Sequence, residues 1–247
     1  MINKYLSVLF VLYWQLLVTL ATPECYAHHT FKKCSLQDSD CLTKRSNAAI
    51  KNFTRGIPEL GIENMNQMLI DPTELKIDGT IQELNNIQVE GLENATINEL
   101  RFIEPLKIIR LSFDTTFVFN YDYIVEGFLF MQPIVGEGPA TVKIKNIQTD
   151  MIFFYDIIKK ENGKHKLVIK DYRFGFNIKD SVEYNYMNLF HGDKKKNDLV
   201  NDFLNKNWTI ITNVFGTYFY DMIYQKMFKA IRKYMRSQNL EDIVLFE

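Results

Sequence analysis

The stretch NLFHGDKKKNDLVNDFLNKNW, residues 188–208, decides how this chain is read. Three consecutive lysines, Lys194, Lys195 and Lys196, give way to a segment whose apolar residues fall at helical spacing. From Val200 they recur at Leu204, Trp208, Ile211, Phe215, Phe219, Met222, Met227, Ile231 and Tyr234. Most steps are three or four residues, which lays one apolar stripe along an α-helix. The helix is expected over 197–236, starting near Asn197 or Asp198, with the lysines in a solvated loop before it. An anionic membrane contact would need more basic residues than three in a row. At 1.5 Å per residue such a helix extends about 60 Å. A compact sphere formed by residues 28–247 would be only about 45 Å across. The helix is therefore either kinked, at Gly216, or part of an elongated molecule.

Upstream of this segment the period changes from 3.6 to two. Between about Leu75 and Tyr186 apolar and polar residues alternate, with Gly, Asn and Asp clusters between the runs. In the longest run, Phe113, Phe117, Phe119, Tyr121 and Tyr123 share one face, while Arg110, Asp114, Asn120 and Asp122 share the other. This is one very long curved strand or a hairpin turning near Asp114, since strands usually span three to ten residues. Further runs are expected at 140–145, 151–158, 166–170 and 172–178. Asn162-Gly163 marks a hairpin turn between two of them, and Gly136-Glu137-Gly138-Pro139 reads as another turn. The pattern is an antiparallel meander; no strand–helix alternation suggests a nucleotide-binding sheet. A shorter helix is expected from Asp38 to Phe53, capped by Asp38 or Ser39 and stopped by Gly56 and Pro58.

The N-terminus has a different character. Lys4 precedes the apolar run from Leu6 to Ala21, and small residues follow, as in a secretory signal peptide. The run is short for a membrane span. Residues 1–27 are read as a leader cleaved after Ala27, with Ala21 the alternative, leaving a single domain over 28–247 that is secreted and makes no stable membrane insertion. Loss of Cys25 leaves Cys34 and Cys41, which in an oxidising compartment read as one local disulfide. So short a loop contributes about 2.5 kcal/mol. Three Asn-x-Thr sequons become candidate glycosylation sites: Asn94 in a polar turn, Asn52, and Asn207 inside the expected helix.

Several chemistries find no support. The net charge of −1 carries none of the basic excess of a nucleic-acid binder. His28, His29, His165 and His191 are scattered, so no metal or cofactor is expected. No Gly-x-Ser-x-Gly, His-Glu-x-x-His, Walker or Cys-x-x-Cys motif is present, and the chain is not read as an enzyme. Nineteen Phe and 13 Tyr are instead enough to fill a large core or line a cavity.

The quoted stretch resembles a motif of the insect takeout and haemolymph juvenile-hormone-binding family, in which a Leu-Phe-x-Gly-Asp-Lys turn leads into a helix carrying Phe-Leu-Asn-x-Asn-Trp. Here these are Leu189, Phe190, Gly192, Asp193 and Lys194, then Phe203, Leu204, Asn205, Asn207 and Trp208. Cys34 and Cys41, the run Gly56 to Ile62, Asp71-Pro72, and Gly136 to Gly138 ahead of Ala140 to Ile144 follow in the family's order. The absence of any cysteine after Cys41 places the chain nearer the takeout branch. The resemblance implies a TULIP-like α+β fold: a long C-terminal helix wrapped by a strongly curved antiparallel sheet, enclosing an apolar tunnel. It also implies a small elongated hydrophobic ligand, such as a terpenoid, a juvenile-hormone-like molecule or a fatty acid. Phe117, Phe119, Tyr121, Phe128, Phe130, Trp208, Phe215 and Phe219 are the candidate lining residues. The competing readings are a secreted signalling protein with a solid core and an esterase acting on a hydrophobic ester.

Overall fold

The computed structural model describes residues 33–77 and 79–246; the leader expected over 1–27, with its cleavage sites, Cys25, His28 and His29, lies outside them. The described chain begins with a two-residue strand, β1 (Cys34–Ser35), and a helix, α1 (Ser39–Thr54). Asp38 caps α1 by accepting a hydrogen bond from Cys41 N at 3.0 Å. A Cys34–Cys41 disulfide ties the strand to the helix. Gly56, at φ +87°, follows the helix where an added Cβ would lie 2.7 Å from the Glu63 carbonyl oxygen, so only glycine fits.

Seven strands form one antiparallel sheet among the described residues. They are β2 (Gln67–Ile70), β3 (Thr73–Ile77), β4 (Thr80–Glu90), β5 (Thr96–Ile103), β6 (Ile108–Leu129), β7 (Gln132–Lys159) and β8 (His165–Tyr186). The order is β2–β4–β6–β7–β8, with β3 also on β4 and β5 also on β6. The aromatic run is one strand of 22 residues, and β7 has 28. At about 3.4 Å per residue β7 would be about 95 Å long if straight, so it must coil.

Bulges supply the coiling. Thr115 pairs with Ile147 but Phe117 pairs with Ile144, so β7 carries an extra residue there, with Asn146 at φ +51°. The buried residues of β7 shift phase across it, from Ala140, Val142 and Ile144 to Ile147, Thr149, Met151 and Phe153. A second shift, between Phe154 and Tyr155, leaves Lys170 as the extra residue of β8. The separate runs expected at 140–145 and 151–158, and at 166–170 and 172–178, are thus halves of two continuous strands, split in the pattern where the bulges lie.

Two turns differ from expectation. Gly136 to Pro139 is part of β7, not a turn: Gly136 bridges to Leu189, and a Cβ on it would sit 2.8 Å from Leu189 Cα. The β6–β7 turn is at Phe130 and Met131, both left-handed at φ +48° and +65°. Asparagine and glycine favour that conformation, so the sequence carries no turn signal there. The Asn162-Gly163 turn lies between β7 and β8, with Gly163 N donating to Lys160 O at 2.9 Å.

The helical region also differs. Its first helix, α2 (Lys194–Lys206), starts three residues earlier than expected, capped by Asp193, which accepts from Lys196 N at 3.2 Å. The lysines therefore form its first turn rather than a loop. Lys194 pairs with Asp198 and Lys196 with Asp193. The break falls at Asn207 (φ −111°, ψ 22°), not at Gly216, and α3 (Trp208–Ser237) runs on unbroken. Gly216 is buried between Thr212 and Tyr220 of its own helix. A short helix, α4 (Leu240–Ile243), and β9 (Val244–Leu245), parallel to β1, close the chain.

Two side-chain ladders dock the helices. Asn205 receives a hydrogen bond from Tyr184 N at 2.7 Å and donates to Tyr184 O at 2.9 Å. Asn201 does the same for Tyr186, at 2.8 Å in both directions, and Asn197 accepts from Leu189 N at 3.0 Å. Two strand residues span about 6.8 Å and four helical residues about 6 Å, so asparagines at i and i+4 meet alternate residues of the strand. The same match packs Tyr172, Phe174 and Phe176 of β8 on Phe228, Tyr224 and Tyr220 of α3, with ring centroids 4.6, 4.5 and 4.0 Å apart. Replacing Asn205 with Ala strands the amide and carbonyl of Tyr184 at about 1–3 kcal/mol each. Asn205→Ala should lower unfolding free energy by about 2–4 kcal/mol in denaturant titration, whereas exposed Asn213→Ala should stay within about 0.5 kcal/mol.

Candidate functional site

The two ladders hold α2 and the first half of α3 over the inner face of β6, β7 and β8, and a cavity lies beneath them. The sheet contributes Phe119 and Val125 from β6, Val142 and Ile144 from β7, and Val182, Tyr184 and Tyr186 from β8. Val200 and Leu204 of α2, and Thr212, Phe215 and Phe219 of α3, form the opposite wall. Leu129 and Ile134, flanking the β6–β7 turn, line it as well. The space between atoms, counted out to the open mouth, is about 780 Å³. Gly216 also lines the cavity, and a Cβ there would come within 2.9 Å of Thr212 Cγ2 and 3.0 Å of Tyr220 Cε2.

Of the candidate residues, Phe119, Phe215 and Phe219 are brought together around this space. Phe219 packs edge-on against Phe119 at 5.7 Å and tilted against Tyr121 at 6.0 Å. Phe117 and Tyr121 are buried in the core and are not wall residues, although Tyr121 packs against Phe219 and Tyr186, which are. Trp208 is half-buried against the core at the start of α3. Phe128 and Phe130 are elsewhere: 53% and 43% exposed at the β6–β7 hairpin, with Phe130 touching Phe203 of α2. Their aromatic character suggested a wall, but Phe128 lies just before the β6–β7 turn and Phe130 within it, where the alternating pattern no longer reports a buried face.

The polar wall groups were not evident in the sequence. Gln82 Nε2 donates to Tyr186 Oη at 3.3 Å, and the Tyr186 and Tyr121 hydroxyls are 2.8 Å apart. The Tyr184 and Thr212 hydroxyls lie 3.2 Å apart. The period-two pattern is read through to Tyr186, but the last run named within it ends at Ile178, so Val182, Tyr184 and Tyr186 lie inside the pattern without being singled out as wall residues. Gln82 carried no signal. No charged residue lines the cavity among the described residues, and among them no three His, Cys, Asp or Glu side chains gather as a metal site. No described helix is long and apolar enough to cross a membrane.

A long helix laid on a coiled antiparallel sheet around an apolar, uncharged cavity defines an α+β architecture of TULIP-like type. The sequence matches the family described as haemolymph juvenile hormone binding protein (JHBP) over residues 13–245, and the chain belongs to that family. Takeout 1 of Epiphyas postvittana has a crystal structure that superposes with a TM-score of 0.84 at 28% identity, covering 87% of this chain and 100% of that one. The circadian clock-controlled protein daywake of Drosophila melanogaster is 25% identical over 195 residues, covering 73% of this chain and 74% of that protein. The juvenile hormone-binding protein of Manduca sexta is 24% identical over 143 residues, covering 55% and 59%.

Burial sets the titration of the phenols in and around the cavity. Loss of water raises Tyr121, Tyr184, Tyr186, Tyr220 and Tyr224 above the ordinary phenol value, because the phenolate would be stranded in an apolar interior. Tyr172, next along the helix–strand zipper, is pushed up to about 12, by burial first and by Asp221 second. A phenol that ionises near pH 10 when unfolded and higher when folded contributes constant stability below about pH 10. That contribution is lost as pH rises toward the folded value, because the unfolded state releases its proton first. Stability should be flat from about pH 7 to about pH 10 and fall above it. The phenolate absorbance of these tyrosines should appear only with unfolding, checked by ultraviolet titration alongside circular dichroism.

Proposed function

We propose that this protein is a secreted carrier that encloses one small, elongated hydrophobic molecule in the cavity beneath α2 and α3. The observation that carries the reading is a cavity walled by aliphatic and aromatic side chains from both layers, with a few hydroxyls and no charge. Transfer of apolar ligand surface out of water supplies the binding free energy, and the hydroxyls orient a polar group. A ligand of about 20 heavy atoms at roughly 0.3–0.5 kcal/mol per atom gives about 6–10 kcal/mol, hence a Kd from tens of micromolar to tens of nanomolar. A terpenoid or juvenile-hormone-like molecule suits the shape, and the juvenile hormone-binding name of the Manduca sexta relative supports the same class. The carrier role needs no metal, cofactor, nucleic acid or catalytic group.

Extraction of the purified, secreted protein into organic solvent, followed by mass spectrometry, tests the reading directly. A stoichiometric apolar molecule, absent from a control protein, is expected. An empty extract together with no uptake of a neutral naphthylamine fluorophore would overturn it in favour of a solid-cored interaction protein.

Secretion rests on the leader, and the domain on residues 28–247. Cleavage after Ala27 makes His28 the first residue on N-terminal sequencing; Thr22 would place the cut after Ala21. Asn94 is exposed in the turn after β4 and is the preferred glycan site. Asn52 is exposed on α1, but the Thr54 of its sequon is fully buried. The Asn207 amide donates to Phe203 O at 2.8 Å at the helix break. Asn94→Gln should therefore remove most of any glycosidase-sensitive mass.

A further inference from the structure

We propose that the tip of the β6–β7 hairpin and the outward face of α2 together dock on a negatively charged lipid surface. The contact is shallow and reversible. It holds whatever the cavity carries, so the inference does not rest on the carrier reading.

The hairpin departs from the pattern of the sheet behind it. Asn120, Asp122 and Glu126 mark the outward face of β6 as largely polar, as expected where one face of an antiparallel sheet meets water. Beyond Glu126 both faces turn apolar. Leu129 and Ile134 point inward and line the cavity. Phe128, Pro133 and Val135 point outward and are exposed. From Gly127 to Gly136 there is no charged side chain.

The turn adds a second observation. Leu129 pairs with Gln132, so Phe130 and Met131 are the two loop residues, and both are left-handed. Asn-Gly suits such a turn, whereas bulky side chains there are strained. Met131 is 88% exposed, so the molecule gives it little packing in return. Strain held at an exposed apolar tip points to a partner outside the chain.

The patch continues onto α2. Phe130 meets Phe203 with ring centroids 5.9 Å apart, and Leu199, one turn before Phe203, is 61% exposed. Val200 and Leu204 face the cavity, and the asparagines of the same helix hold β8. Leu199 and Phe203 therefore form a third face with no partner helix or strand behind it. Lysines border that face: Lys195 lies four residues before Leu199 and Lys206 three after Phe203. Four lysines against two aspartates give α2 a net charge of +2. Both aspartates are paired, Asp198 with Lys194 and Asp202 with Lys206. The Lys195 ammonium is in no ion pair among the described residues.

An apolar tip with a basic rim fits an anionic bilayer. Aromatic and aliphatic side chains enter the headgroup region while the ammonium groups stay with the phosphates. Three lysines in a row are too few to hold such a surface by charge alone; here the tip supplies the rest. The next charges limit the depth. Glu126 pairs with Val135, three residues behind Leu129 and so about 10 Å back at about 3.4 Å per residue. An interfacial contact reaches about 5–10 Å, and a carboxylate would repel anionic headgroups beyond that. A second copy of the chain suits the patch less well, because a two-fold contact would set one basic rim against another.

The test is flotation of the full secreted protein with vesicles of phosphatidylcholine alone and with about 30% phosphatidylserine added. Binding is expected to the mixed vesicles, tighter than to phosphatidylcholine and weakened by salt. Phe130→Asn combined with Met131→Gly puts favoured residues in the turn. That variant should keep or raise the unfolding midpoint while vesicle binding falls at least about tenfold. Lys195→Glu should weaken binding to the mixed vesicles about fivefold and leave phosphatidylcholine binding unchanged. No binding of the unaltered protein to either vesicle, or equal binding by the turn variant, would overturn the inference. So would a dimer in size-exclusion chromatography that the turn variant separates, since the patch would then belong to a second copy. Uptake of the naphthylamine fluorophore reports on the carrier reading separately, because neither Phe130 nor Met131 lines the cavity.

Discussion

A sheet that coils without closing leaves two open edges, and everything else in this molecule depends on how they are satisfied. Unpaired strand amides and carbonyls either meet water, pair with another chain, or find side-chain partners. Here part of each edge is covered by a helix that presents short polar side chains at four-residue spacing; β2 and β3 form the rest of the edge opposite β8. On β8 the partners are Asn197, Asn201 and Asn205. On β5 they are Thr43, which accepts from Leu100 N at 2.9 Å, Ser39, which donates to Leu100 O at 3.1 Å, and Asn47, which bonds both Ile97 N and O at 2.8 and 2.7 Å. Asparagine suits the task because one amide carries both a donor and an acceptor. A substitution to Asp would keep one half of each clamp and bring a charge to the edge.

The edge clamps also account for the helix break. Asn205 must stay on β8, while α3 must reach over the inner face to place Tyr220, Tyr224 and Phe228 on Phe176, Phe174 and Tyr172. One straight helix cannot follow the edge and cross the face together. Asn207 takes a non-helical conformation between the two tasks, and Trp208 starts the second helix half-buried. The motif Phe-Leu-Asn-x-Asn-Trp therefore encodes an edge clamp, a break and an anchor in that order. Leu204, between the clamping asparagines, turns into the cavity.

Much of this architecture was legible because two periodicities, 3.6 and two, are written clearly into the chain. The aromatic face of β6 keeps one phase over its whole length, so it could be read as a single strand face. On β7 the bulge at Asn146 and on β8 the one at Lys170 reset the phase, and the pattern broke into apparent separate strands. The turn at Phe130 and Met131 was illegible because its residues are not those that favour left-handed backbone. Gly216 looked like a kink because glycine weakens helices, whereas here it makes room between Thr212 and Tyr220. The site was legible only in its apolar part: Phe119, Phe215 and Phe219 follow from periodicity. The polar part depends on which strand neighbours face each other, as Gln82 and Tyr186 do across β4, β6, β7 and β8, and no local pattern records that.

The ladder and the cavity share residues, and this restricts how a ligand can be admitted. Asn201 and Asn205 bind the edge of β8 on one side of α2, and Val200 and Leu204 face the cavity on the other. Moving α2 away from the sheet would break four hydrogen bonds to Tyr184 and Tyr186 at once and would unseat the Tyr186 ring. Rotating aromatic side chains is cheaper. Phe215 and Phe219 are only partly buried on α3, and Phe219 meets Phe119 and Tyr121 through ring edges that can slide. A carried molecule would therefore be admitted most readily by rearrangement of the α3 phenylalanines against a fixed sheet. On the carrier reading, shape selectivity would belong to Phe215 and Phe219, which line the cavity from α3.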